Sequence, residues 1–124
     1  MIFLSVDEII HLHDTLIART GGLAGLRDKG LLESAVYSAF ASFEETEQYP
    51  ALVEKAARLA YAITNNHAFT DGNKRIGIYV MLVTLKVNDV DLSYTQNELI
   101  KLGLGIADGS LSYENVLKWL NAHI

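Results

Sequence analysis

A chain of 124 residues, half of them hydrophobic, is sized for one domain, residues 1–124, around one core. A formal charge of −5 argues against non-specific nucleic-acid binding, which depends on cations meeting phosphates. The absence of cysteine excludes disulfides, thiolate zinc sites and a cysteine nucleophile, and fits a reducing cytoplasm. The N-terminus lacks the basic region and the apolar length of a signal peptide. The longest apolar run, Ile76 to Val87, is too short to cross a membrane and is broken by Gly77, Thr84 and Lys86.

Taken in order, the elements read as helices. Ser5 and Glu8 form a Ser-x-x-Glu capping box, and Val6, Ile9, Ile10, His13, Leu16 and Ile17 recur at helical spacing until Thr20-Gly21-Gly22 ends the run. Residues 21 to 30 hold four glycines and read as a loop. Asp28 caps a second helix carrying Leu32, Ala35, Val36, Ala39, Phe40 and Phe43. The acidic stretch from Glu44 to Gln48 reads as a solvated connection, and Pro50 as the first turn of a third helix running through Ile63. A polar loop over 65–72 precedes a fourth helix, about 73–87, apolar nearly all round and therefore central. Thr95 and Glu98 cap a fifth helix ending near Gly109, and Ser112 caps a last one through Leu120. The expected fold is all-α, a compact bundle of about six helices around a central apolar helix, with no strand pair.

The chemistry concentrates between His67 and Arg75. A glycine-containing polar loop running into a buried helix makes an anion site, because the first N–H groups of a helix lack internal partners. His67 offers an imidazole able to take a hydroxyl proton near neutral pH. Asp71 can cap the fourth helix, ligate Mg²⁺, or both. Gly72 leaves room for a phosphate, Asn73 presents an amide and an N–H, and Lys74 and Arg75 bring charge, Arg75 with bidentate geometry. Phe69 reads as a core plug anchoring the loop, and Thr70 as a residue shaping it. Other patterns fail. Position 67 is not the glycine a P-loop requires, His67 and Asp71 alone are too sparse for zinc, and the glycine-rich loop follows no strand. His11 and His13 read as structural.

The stretch His67-Ala68-Phe69-Thr70-Asp71-Gly72-Asn73-Lys74-Arg75 resembles the signature loop of the Fic/Doc superfamily, His-Pro-Phe-x-[Asp/Glu]-Gly-Asn-Gly-Arg-x-x-Arg. The chain length, Leu12-His13-Asp14, the Gly21-Gly22-Leu23-x-Gly25 loop and Gly30-Leu31-Leu32-Glu33-Ser34-Ala35 resemble the short Doc ("death on curing") toxin branch of type II toxin–antitoxin modules. Ala68 stands in place of the proline, Lys74 in place of the second glycine, and Ile78 in place of the last arginine. In AMP-transferring members the last two positions help seat the ATP polyphosphate, and a lysine there takes up the space.

The Doc branch carries this same lysine. The resemblance therefore implies a Fic-like fold and a Mg²⁺-ATP-dependent protein kinase that passes the γ-phosphate to a threonine of elongation factor Tu and blocks translation. It implies His67 as base, Asp71 as Mg²⁺ ligand, Thr70 and Gly72 as loop-shaping residues, and Asn73, Lys74 and Arg75 as phosphate ligands. Arg19, near the glycine-rich loop, is a further candidate for phosphate or substrate. An antitoxin whose disordered C-terminal segment docks in an apolar groove is the implied partner, with no membrane and no direct nucleic-acid binding. The alternatives are an AMP transferase and a non-enzymatic module binding nucleotide or a partner. Ser110-Leu111-Ser112-Tyr113-Glu114-Asn115 matches the self-inhibitory pattern of some Fic proteins, but its partner arginine is replaced by Ile78.

Overall fold

The computed structural model describes residues 1–124 and contains six helices: α1 (Val6–Thr20), α2 (Lys29–Ser38), α3 (Leu52–Asn66), α4 (Asn73–Val87), α5 (Gln96–Ala107) and α6 (Tyr113–His123). Their starts follow the local chemistry. Ser5 accepts from the Glu8 N–H at 3.1 Å and Glu8 accepts from the Ser5 N–H at 2.9 Å. Thr95 and Glu98 repeat this box at α5, and Ser112 with Asn115 at α6. Each box satisfies donors that a helix start otherwise leaves open. Asp28 caps α2 through the Leu31 N–H at 3.2 Å.

Three expectations change. The second helix stops at Ser38, and Phe43 lies outside it, mostly exposed, in β1 (Ser42–Phe43). The acidic connection is a short antiparallel pair of β1 with β2 (Thr46–Glu47), turning through Glu44 and Glu45, both at positive φ. Pro50 precedes the N-cap Ala51, so it leads into α3 without entering its first turn.

Helices α3 and α4 form the axis of the bundle, and α3 also touches α2, α5 and α6. They approach closely because position 77 has no side chain. A Cβ on Gly77 would lie 3.0 Å from the Ala60 carbonyl. One apolar cluster, with Ile9, Leu32, Ile63, Phe69 and Ile76, joins α1 and α2 to the axis; a second, with Met81, Leu85, Leu102, Ile106 and Leu120, joins α5 and α6 to it. Helix α4 is less enclosed than its sequence implies. Ile76, Val80 and Met81 are fully buried, whereas Tyr79 keeps 40% of its surface and lines open hollows. The loop over 67–72 bridges α3 and α4 at one end of this axis.

Candidate active site

His67 is the C-cap of α3 and sits in the left-handed region, φ 52° and ψ 45°. A side-chain-bearing residue takes that conformation only when its surroundings impose it. Here Arg27 supplies the constraint. Its Nε donates to the His67 carbonyl at 3.1 Å, and its Nη2 donates to the same oxygen. The segment before α2 also pairs with the loop. The N–H groups of Arg27 and Asp28 donate to the Ala68 carbonyl, and the Thr70 N–H donates to the Gly25 carbonyl.

Ala68 and Phe69 are buried beneath the loop. Phe69 plugs the core as expected, stacked on the His13 ring with centroids 3.8 Å apart. Asn73 closes the loop from the other side. Its Oδ1 accepts from the Phe69 N–H and its Nδ2 donates to the Phe69 carbonyl, each at 3.0 Å. The side-chain amide expected to face an oxyanion is thus engaged with the main chain, and Asn73 has its own N–H left to offer.

Helix α4 starts at Gly72, φ 77°, with no side-chain cap. Asp71 does not cap it. Its Oδ1 accepts from the Gly72 N–H at 2.8 Å and its Oδ2 from the Leu23 N–H at 3.0 Å. Those two donors, Leu23 first, hold the carboxyl below the usual range, aided by Arg75. The first helical bond inside α4 runs from the Ile76 N–H to the Gly72 carbonyl, leaving the N–H groups of Asn73, Lys74 and Arg75 without acceptors. Donors of this kind, at the positive end of a helix dipole, attract anions.

The two cations differ. Arg75 belongs to a strap formed by the α1–α2 loop. Its Nη1 donates to Thr20 Oγ1 at 2.6 Å and to the Gly21 carbonyl at 2.7 Å, and its Nη2 lies 3.8 Å from Asp71 Oδ2. Lys74 pairs with no carboxylate, and its stem runs over Gly103 of α5.

The result is a cleft of about 420 Å³ lined by His67, Thr70, Asp71, Gly72, Asn73, Lys74 and Arg75, together with Thr64 and Ala107. His67, Asp71, both cationic residues and the open helix start thus border one space. Arg19 is exposed in the last turn of α1 and is not part of the lining. Glu114, of the self-inhibitory pattern, is exposed in the first turn of α6 and outside the cleft.

The Fic/DOC family model matches residues 3–85, which include the loop and the elements that hold it. The chain belongs to the Fic/Doc family. It is 35% identical over 115 residues to "Protein kinase doc" of Escherichia phage P1, spanning 91% of this chain and 88% of that protein. It is 37% identical over 91 residues to "Toxin Doc" of Mycolicibacterium smegmatis, spanning 71% of this chain and 70% of that protein.

Within this Fic/Doc chain, sequence reasoning missed the residues that act on the loop from a distance. His13, read as structural without a partner, donates from Nε2 to the Asp71 carbonyl at 2.7 Å. Arg27 and the Leu23 N–H were not foreseen. No local pattern marks them, because their partners lie 40 and 48 residues away. No helix is long and apolar enough to cross a membrane.

Proposed function

We propose that this protein is the toxin of a toxin–antitoxin module and acts as a protein kinase on a Fic scaffold, transferring the γ-phosphate of ATP to a threonine of elongation factor Tu and so arresting translation. The observation that carries this reading is the cleft itself. It gathers His67, an ionised Asp71, an uncapped helix start and the unpaired Lys74 around one space. The relatives named as a protein kinase and as a toxin support the same reading.

In the transfer, the acceptor hydroxyl oxygen forms a bond to the γ-phosphorus while the bond to the β,γ-bridging oxygen breaks. ADP leaves with that electron pair, and His67 takes the hydroxyl proton. Such transfers depend on positioning and on stabilising charge at the equatorial oxygens. The N–H groups of Asn73, Lys74 and Arg75 and the Lys74 ammonium provide that charge. Asn73, Phe69 and Arg27 keep the loop in register, so its donors need no rearrangement.

Asp71 fits a Mg²⁺ ion held jointly with phosphate. Its carboxyl is ionised, and each oxygen accepts one backbone bond and keeps a further lone pair. Mg²⁺ takes one or two carboxylates and completes its shell with phosphate oxygens and water, so Asp71 would serve as its side-chain ligand. When bound, Mg²⁺ would neutralise phosphate charge.

An antitoxin segment is the proposed partner. Apolar hollows flank α1 on both sides, about 560 Å³ against α2 with Phe3, Val36 and Phe40, and about 500 Å³ against α4 with Leu4, Leu12 and Val83. A folding peptide can lay an apolar helix face in such a groove.

The second reading is AMP transfer, and Lys74 separates the two by filling the space of the glycine in the general signature. The test mixes the purified protein with elongation factor Tu and Mg²⁺-ATP and records the acceptor's intact mass. A gain of one phosphate, absent with His67→Ala, is expected. A gain of one AMP would establish the second reading. No transfer despite nucleotide binding would favour the non-enzymatic module or another acceptor.

A further inference from the structure

The His67 ring has no side chain to steer it. The hydrogen-bonded imidazoles of this chain are those of His13 and His123. A general base is ordinarily oriented by a third group bonded to its other nitrogen. At His67 that group is missing, and the residue is exposed. The direction in which its imidazole leaves the chain is therefore set by the main chain.

Two main-chain conformations compete there. His67 follows directly on α3, and continuation of the helix would carry it at negative φ. It lies instead at φ 52° and ψ 45°, at a place that helices commonly give to glycine. Reversing the sign of φ swings the Cα–Cβ bond to another side of the helix end. Arg27 alone reaches this residue with side-chain hydrogen bonds. Its Nε donates to the His67 carbonyl at 3.1 Å, and its Nη2 donates to the same oxygen. The Arg27 N–H donates to the next carbonyl, that of Ala68, at 2.8 Å. One residue thus holds two consecutive carbonyls and fixes the peptide planes on either side of Ala68. Arg27 pairs with no carboxylate that would draw it away. The segment that carries it is anchored independently, since Leu26 bridges to Phe69 and the Gly25 carbonyl accepts from the Thr70 N–H at 3.0 Å.

We infer that Arg27 is a positioning residue for the proposed base. Its guanidinium keeps His67 in the left-handed conformation, and in that conformation His67 forms part of the cleft wall. This role rests on the phosphoryl transfer proposed above and makes its rate depend on a residue outside the cleft lining. Without the two bonds, α3 can run on through His67 and carry the ring away from the acceptor. The phosphate-binding groups are held separately, Asn73 on Phe69 and Arg75 on Thr20 and Gly21. Loss of the Arg27 side chain should therefore slow the chemical step and spare phosphate binding.

The test uses the full chain, Mg²⁺-ATP and elongation factor Tu. Arg27→Ala removes an exposed side chain and keeps the N–H that binds Ala68, so folding is retained. The kcat of transfer is expected to fall about tenfold to a hundredfold, with the KM for ATP and the calorimetric affinity for inorganic tripolyphosphate staying within about twofold. Arg27→Lys, which can still place one donor on the His67 carbonyl, should recover part of the loss. Added ethylguanidinium should raise the activity of Arg27→Ala and leave His67→Ala inactive. Parental kcat in Arg27→Ala would overturn the positioning role and leave the proposed transfer standing. So would a fall in kcat that neither lysine nor ethylguanidinium reverses and that comes with an equal loss of tripolyphosphate affinity, the mark of a loop that has come apart. A parent chain that transfers neither phosphate nor AMP would refute the proposed transfer and the positioning role with it.

Discussion

His13 and Asp71, 58 residues apart, are joined by a hydrogen bond from the buried imidazole Nε2 to the Asp71 main-chain carbonyl. The bond leaves the Asp71 carboxylate unencumbered by His13. It fixes the height of the loop above α1, while the stacked Phe69 fixes its depth. Since a carbonyl only accepts, Nε2 carries the proton, and Nδ1 is left buried without a partner. His13→Ala removes the stack and strands the Asp71 carbonyl. The expected cost is roughly 2–4 kcal/mol of stability, measured by denaturant unfolding.

Asn73 is expected to act through the loop. Asn73→Ala deletes both bonds to the Phe69 main chain. A loss of about 1–3 kcal/mol follows from two unpaired backbone groups under the loop. Asn73→Asp keeps an acceptor for the Phe69 N–H but sets a carboxylate against the Phe69 carbonyl. It should be no better than alanine. Denaturation midpoints and amide exchange at Phe69 check both variants.

The strap over Asp71 is built around glycine at position 22. Gly22 has φ 114°, and a Cβ there would lie 2.5 Å from Asp71 Oδ2 and 2.8 Å from Arg75 Nη2. Gly22→Ala should displace the Leu23 N–H from Asp71 and shift Arg75. A fall in phosphate transfer on the order of tenfold to a hundredfold is expected, with a modest change in melting temperature. Transfer at the parental rate would show that the strap does not position the site.

A pH-dependent link joins α5 and α6. His123 donates from Nδ1 to the Trp119 carbonyl at 2.6 Å and from Nε2 to Glu98 at 2.7 Å, so the imidazolium is the form held. The His123 hydrogen bond, with the Thr95 N–H and hydroxyl, lowers Glu98 from 4.5 to about 2, and the Glu98 bond raises His123 above 6.5. The Glu98 contribution is present above 4.5 and is lost as pH falls toward 2; the His123 contribution is present below 6.5 and is lost as pH rises through its raised value. The difference in melting temperature between the parent and His123→Gln should therefore peak between about pH 4.5 and 6.5 and shrink on both sides. A difference that does not vary with pH would refute the link.

Much of the fold was written locally. Ser5 with Glu8, Thr95 with Glu98, Asp28 and Ser112 all cap the helices expected of them, because capping is decided within one turn. The bounds of α4 and the plug role of Phe69 were equally legible, since an apolar run beside a polar loop leaves little choice. The end of α2 was not legible. Phe43 continues its apolar pattern, yet the chain turns into β1, where Glu44 and Glu45 adopt positive φ that no helical periodicity announces.

The sequence by itself also gathered the candidate groups, because His67, Asp71, Lys74 and Arg75 lie within nine consecutive positions beside the start of α4. What only the tertiary structure decided is how each of these groups is employed. The Asn73 amide turns inward to Phe69, Arg75 joins the strap with Thr20 and Gly21, and Lys74 stays unpaired over Gly103. Hydrogen bonds are made with whatever the fold brings within about 3 Å. For Arg75 those partners are Thr20 and Gly21, whose distance along the chain hides them from any local pattern, whereas the Asn73 amide finds Phe69 within its own loop.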